Sequence, residues 1–309
     1  MSELPVLPLD VYINISRFLE YTDIINLSLC SHQHRELLYF AELSQRVYIS
    51  KIINTPYFHS FTCVTYNKIV NALPKNIQNL HWMVNVQIPF ELPNTLTKLS
   101  FGISYNHIVP KLPTSLQYLS FGLEYNQNPP ALPDTLTHLE FGMYHTRVMP
   151  TLPKALKYLS GAYFSSPELL PHLPETLLYL KLSNEYDQNL PPIMHTSLRT
   201  IIFGTKFNRA LPYQFPETLY RLEFGGWFNW RLQENLPNSI TCISFSNNYT
   251  HSLPSVLPAN LVYLNLGARY YHFVPQLPAS LRYLEIHRKA RHQLPKNLPP
   301  NLVINWLHN

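Results

Sequence analysis

From residue 73 to the C-terminus, apolar side chains return at fixed offsets within a unit of 19 to 21 residues. Most units open on a Leu-Pro pair, as at Leu92-Pro93, Leu112-Pro113, Leu132-Pro133 and Leu277-Pro278. Counting that Leu as position one, position five is always Leu or Ile, from Ile77, Leu96 and Leu116 to Leu302. Position eight is again Leu or Ile, and position ten is mostly Phe, as in Phe101, Phe121, Phe141, Phe203, Phe224 and Phe245. Positions eight and ten lie two apart, so they share one face of a short strand and turn into a core. Position eleven is often Gly, which suits a sharp turn or close approach of backbones. Beyond it come an aromatic residue and Asn (Tyr105-Asn106, Tyr125-Asn126, Phe207-Asn208, Phe228-Asn229) and then a late proline. The aromatic ring is expected in the core and the amide on backbone groups of adjoining loops. A 20-residue period leaves enough chain for a parallel crossover, and its prolines favour an extended or 3₁₀ return over an α-helix.

A period this short marks a repeat solenoid, in which each unit covers its apolar side only by stacking on its neighbours. Some units depart from the rule. Gly161 stands at position ten, Met194-His195 replaces Leu-Pro, and Thr146, Asp187 and Thr250 replace the Asn. Local bulging is expected there. The last unit ends after its strand, with Trp306 placed to cover an edge.

Residues 1–48 follow a different period. Val11, Ile15, Phe18 and Leu19 fall on one helical face, Thr22 caps a second helix with Leu27 on its apolar side, and Ser31 caps a third through Leu37, Leu38 and Leu43. Three helices of this length bury too little surface to stand alone and must lean on the solenoid or a partner. Residues 49–72, with Ile49, Ile52, Ile53, Tyr57, Phe58 and Phe61, are too apolar for a tether and are expected as a packed connector.

The unit L-P-x-x-L-x-x-L-x-F-G-x-x-F-N, repeated about twelve times over residues 73–309, resembles the FNIP repeat, a relative of the leucine-rich repeat. That resemblance implies a leucine-rich-repeat-like parallel β-sheet horseshoe. The run Leu7-Pro8-Leu9-Asp10-Val11, followed by Thr22-Asp23-Ile24-Ile25 and Leu27-Ser28-Leu29-Cys30-Ser31, is similar to an F-box over residues 4–44. The likeness implies a small N-terminal α-helical F-box-like domain that docks the Skp-type linker subunit of an SCF ubiquitin ligase. Leu7, Pro8, Ile15, Leu19, Ile24 and Leu27 stand at the positions that would do so. The alternative is a helical cap on the first repeat, in a scaffold that binds protein partners without recruiting a ligase.

Positions seven and nine of each strand point away from the core. Position seven carries Tyr118, His138, Tyr158, Tyr179, Arg221, Tyr263 and Tyr283, an aromatic stripe on the expected concave face. Tyrosine combines apolar area with a hydroxyl and is enriched in binding hot spots, so these seven are the candidate target-binding residues.

Composition narrows the chemistry further. Only 13% of residues are charged, while prolines number 28 and the apolar fraction is an ordinary 46%. The net charge of +5 leaves the repeats mildly basic without a sequence stripe, so nucleic acid is not the expected partner. Arg282, Arg288, Lys289 and Arg291, with His287 and His292, form a basic cluster that is read as a solvated surface. Three widely spaced cysteines fit a reducing compartment, and no stretch has the length of a membrane span or the layout of a signal peptide; an intracellular, cytoplasmic protein is expected. There is no P-loop, G-x-S-x-G or H-E-x-x-H motif, and the acidic residues are dispersed. The sequence therefore predicts no catalytic residue, no metal site and no cofactor. A non-enzymatic adaptor, probing one unknown protein target, is the expected function.

Overall fold

The computed structural model describes residues 46–55, 58–142, 144–163, 173–190 and 197–307. Of the expected helical domain only residues 46–48 are among them, so Leu7, Pro8, Ile15, Leu19, Ile24 and Leu27 lie outside the described residues. The rest is one sheet of fourteen strands in strict chain order. The strands are β1 Val47–Tyr48, β2 Cys63–Tyr66, β3 Asn79–Trp82, β4 Lys98–Phe101, β5 Tyr118–Ser120, β6 His138–Glu140 and β7 Tyr158–Ala162. They continue with β8 Tyr179–Leu182, β9 Thr200–Ile202, β10 Arg221–Glu223, β11 Cys242–Ser244, β12 Tyr263–Asn265, β13 Tyr283–His287 and β14 Val303–Leu307. Each strand pairs in parallel with its sequence neighbours, which makes the chain a parallel β-solenoid. Thirteen strand intervals at about 4.8 Å give a sheet roughly 60 Å along the stacking direction.

The sheet starts before the first Leu-Pro unit. The connector expected over 49–72 is packed, with Ile49, Ile52, Phe58 and Phe61 buried, but it also supplies β2, and β1 precedes it. A four-residue helix, α1 Ile49–Ile52, and a 3₁₀ turn at Phe58–Ser60 link the two strands. Val64 and Tyr66 take the inward positions that Leu80 and Trp82 hold on β3, so alternation alone builds the strand without the repeat signature.

Position five is fully buried from Ile77 through Leu281, and position eight equally so from Leu80 through Leu284. Burying each such side chain stabilises by about 1.5–3 kcal/mol, a gain a single unit could not make alone. Behind this aliphatic column run two aromatic ones. Position-ten rings stack from turn to turn (Phe101–Phe121 at 5.5 Å, Phe121–Phe141, Phe203–Phe224 and Phe224–Phe245 each at 5.1 Å). Position-fourteen rings form the second column, with Tyr105–Tyr125 at 6.3 Å, Phe207–Phe228 at 6.0 Å and Tyr249–Tyr270 at 6.3 Å.

The turns are held by ladders that need a particular atom at a particular position. In the Leu-Pro corner the position-five N–H donates to the proline carbonyl, as Leu96 does to Pro93 at 3.0 Å. The hydroxyl before it donates to the preceding unit: Thr95 to the Ile77 carbonyl and Ser115 to that of Leu96, both at 2.7 Å, and Thr135 to that of Leu116 at 2.8 Å. The expected role of the asparagine is realised as an acceptor. Asn106 Oδ1 takes the Asn126 N–H at 2.9 Å, and Asn208 Oδ1 takes that of Asn229 at 3.0 Å. Asp187 does the same for Asn208 at 2.9 Å, because this job needs only an oxygen.

Of the two reasons offered for glycine at position eleven, close approach prevails. A Cβ on Gly122 would stand 1.9 Å from the Gly102 carbonyl oxygen, while among the described residues only Gly161 and Gly267 have positive φ. At Gly161 the pairing of β7 with β8 shifts between Ser160 and Ala162, the bulge expected where glycine displaces the position-ten ring.

Candidate functional site

The registers string the position-seven residues into one continuous ladder across the outward strand face. Lys98 pairs with Tyr118, then His138, Tyr158, Tyr179, Thr200, Arg221, Cys242, Tyr263 and Tyr283 follow in turn. All seven candidate residues are therefore brought into a single line. Their exposure differs: His138, Arg221 and Tyr283 are exposed, and Tyr118, Tyr158, Tyr179 and Tyr263 are half-buried by one another. Thr200 is buried, which divides the aromatic stripe in two.

Parallel strands stand about 4.8 Å apart, which lets in-register rings stack. Tyr158 lies on Tyr179 with centroids 4.3 Å apart and planes 7° from parallel. Tyr118 and His138 continue the column at 5.9 Å, and His138 and Tyr158 at 5.7 Å. The Lys98 ammonium closes its end, 4.2 Å from the Tyr118 ring centroid. Each ring pair contributes about 0.5–1.5 kcal/mol beyond its buried area. The faces of the rings are thus spent on each other, and what they offer a partner is edges and hydroxyls.

Position nine supplies carboxylates beside this column. Glu140 accepts from Ser120 Oγ at 3.0 Å and from the Tyr118 hydroxyl at 3.4 Å. Glu223 is held by Arg221 Nε at 2.6 Å, and Glu285 accepts from Asn305 Nδ2 at 3.3 Å. Burial pushes the Tyr118 hydroxyl pKa up, and Glu140 adds to the rise; burial and then Glu285 push Tyr263 to about 12. Tyr179 is raised further by burial and by Tyr158. Burial lowers the His138 pKa, with Lys157 and Lys98 reinforcing it. Near neutral pH the column is an uncharged set of hydrogen-bonding edges bordered by acids.

The outward ladder has a counterpart on the return arms that the sequence did not disclose. Position sixteen is His, Gln, Arg or Trp, yet in six units its side-chain nitrogen reaches the position-fifteen carbonyl of the preceding unit. Gln127 donates to Asn106 at 3.2 Å, Arg147 to Asn126 at 2.9 Å, Arg209 to Asp187 at 3.0 Å and Trp230 to Asn208 at 2.7 Å. His251 meets Asn229 at 3.0 Å and His272 meets Thr250 at 2.5 Å. Facing a carbonyl, these histidines are donors through Nε2. The one common feature is an N–H, which no hydropathy pattern reports. Among the described residues no cluster of His, Cys, Asp and Glu has the arrangement to hold a metal ion, and no helix is long and apolar enough to cross a membrane.

The FNIP repeat family matches residues 105–144, the length of two repeats, which includes strands β5 and β6. Among solved structures, CroV588, described as a novel circular leucine-rich-repeat protein, is 32% identical with a TM-score of 0.65, over 80% of this chain and 40% of that one. Two repeats of the chain thus match the FNIP model, and the whole is a parallel solenoid that resembles leucine-rich-repeat proteins. YopM from Yersinia enterocolitica shares the fold alone, at 20% identity and a TM-score of 0.58, over 79% of this chain and 54% of that one. The chain spans about 40% of the length of the first structure and 54% of the second. No curated protein matches it.

Proposed function

We propose that this FNIP-type scaffold is a non-enzymatic adaptor whose outward strand face binds a protein target and whose first 48 residues recruit an SCF ubiquitin ligase through its Skp-type subunit. The observation that carries the target-binding half is the first stretch of the position-seven ladder, in which Tyr118, His138, Tyr158 and Tyr179 form a pre-stacked column. Rings already locked in place lose little rotamer freedom on binding, so their edges and hydroxyls are a low-cost recognition surface. The ligase half rests on the F-box resemblance of residues 4–44. Function would follow from proximity: a rigid solenoid holds the target at high effective concentration beside the ligase.

Two pairs of substitutions separate the halves. In a pulldown on the Skp-type subunit, Ile15→Asp with Leu19→Asp should abolish recovery of the chain, and unchanged recovery would remove the assigned docking face. In proximity labelling within the native cell, Tyr158→Ala with Tyr179→Ala should lose target proteins while ligase subunits remain. Loss of both sets, or of neither, would count against the assigned target face.

A further inference from the structure

Residues 256–309 contain six Lys/Arg and one Glu, and so carry +5, the whole net charge of the chain; the 255 residues before them hold 17 of each sign. The surplus is therefore not diffuse. Several cations upstream, by contrast, are held by carboxylates. On earlier return arms Lys206 meets Glu185 at 2.6 Å, Arg209 meets Asp187 at 2.9 Å and Arg231 meets Glu234 at 3.4 Å. Among the described residues, Arg269, Arg288, Lys289, Arg291 and Lys296 have no carboxylate partner, and all five are exposed. Glu285, the one acid of this region, sits at position nine on the outward strand face.

The local fold explains how they are displayed. In the unit beginning at Leu277 the return arm is a 3₁₀ helix, Arg288–Gln293, which buries Ala290 where other units bury an aromatic ring. That leaves Arg288, Lys289, Arg291 and His292 outside. Repeat alignment sets Lys289 beside Arg269 and Arg291 beside Tyr271, and the Val274 N–H donates to the Gln293 carbonyl at 2.9 Å to hold the two arms together. Tyr271 is 48% exposed, and Phe273, at 78%, is the most exposed large apolar side chain among the described residues.

We propose that this surface, on the return arms of the last two full repeats, binds single-stranded nucleic acid. Unpaired cations interleaved with exposed rings are what such a ligand uses: phosphates take the Arg and Lys groups, and unpaired bases stack on aromatic faces. An acidic polypeptide would satisfy the cations and leave Tyr271 and Phe273 idle. A lipid surface calls for an apolar tip ahead of a basic rim, whereas Arg291 stands level with Tyr271. Two arms, about 10 Å of stacking, are also too narrow for the groove contacts of a duplex.

The test is fluorescence anisotropy of a labelled 20-residue oligouridylate with the full chain. With about four phosphates neutralised, affinity should fall roughly 50-fold between 50 and 200 mM salt. Arg288→Ser with Arg291→Ser should weaken binding at least tenfold and halve that salt slope. Phe273→Ala should weaken it about tenfold and leave the slope unchanged, as lost stacking requires. Lys206→Ser with Arg209→Ser removes the same charge from paired sites and should change neither. Absence of binding at 50 mM salt, or an equal loss in the paired-site control, would overturn the proposal. So would a silent Phe273→Ala, or phosphatidylserine vesicles or polyglutamate binding more tightly than the oligonucleotide with the same arginine dependence.

Discussion

His145 shows how far a residue's neighbours decide its chemistry. It holds position fourteen, where other units place Tyr or Phe, and its fully buried ring is stacked 4.3 Å from Phe141 and 6.2 Å from Tyr125. Burial pushes its pKa down to about 4, Arg147 adds to the fall, and the Gln127 backbone opposes it. The folded chain thus holds a neutral imidazole that the unfolded chain, with an ordinary pKa of about 6.5, protonates first. Between pH 6.5 and 4 the unfolded state binds the extra proton, so this residue's share of stability is complete above pH 6.5, declines as the pH falls and levels off below about 4. The span is about 3 kcal/mol. Urea titrations at pH 7 and pH 4.5 should show wild type losing more stability than His145→Phe, the ring used at Phe207 and Phe228. An equal loss in both proteins would mean that His145 is protonated in the fold. Counting from Leu132 gives His145 position fourteen, but a period gives no dielectric, so the depressed pKa could not be read from the sequence.

At the scale of the element, the constraint is how closely one turn lies on the next. The Gly122 Cα faces the Gly102 carbonyl so directly that a methyl group would fall inside the van der Waals radius of its oxygen, whereas at Gly226 the nearest atom to a Cβ is the Thr205 methyl at 3.3 Å. Gly122→Ala should therefore cost more than about 2 kcal/mol, as backbone must move. Gly226→Ala should change stability by less than about 0.5 kcal/mol. Denaturant midpoints of the two variants compare them directly, and equal midpoints would show that the turns can separate cheaply. The glycine signal was legible because one residue type recurs at position eleven in six units. The position-sixteen ladder was not, since His251, Trp230, Arg209 and Gln127 share a nitrogen donor and nothing else. Likewise β1 and β2 lack the Leu-Pro corner and were recognisable only once their registers with β3 were known.

For the whole molecule, stability is a sum of turns and the contacts between nearest neighbours. Removing residues 236–256, one complete unit, would bring β10 against β12 and set Arg221 beside Tyr263, with every core position still in phase. That variant should keep a single cooperative urea transition followed by circular dichroism. Removing only residues 236–245 leaves a return arm without its strand, puts Tyr249 at position four and Ser255 where the position-ten ring belongs, and should abolish the transition. Survival of the second variant would contradict strict phasing of the core.

What the sequence determined by itself is everything that depends on period. Leu and Ile at positions five and eight, Phe at ten and an aromatic ring at fourteen are enough to specify a stacked parallel sheet, because identical units have one way to bury identical faces. The same counting placed Tyr118, His138, Tyr158 and Tyr179 on the outward face, since alternation in a strand is a local rule. Tertiary structure alone decided what those side chains meet across the gap between turns: which rings spend their faces on each other, which cations find a carboxylate, and which, from Arg269 to Lys296, are left without one. Those are distances between residues about twenty apart in sequence, and a one-dimensional pattern contains the spacing along the chain but not the separation across it.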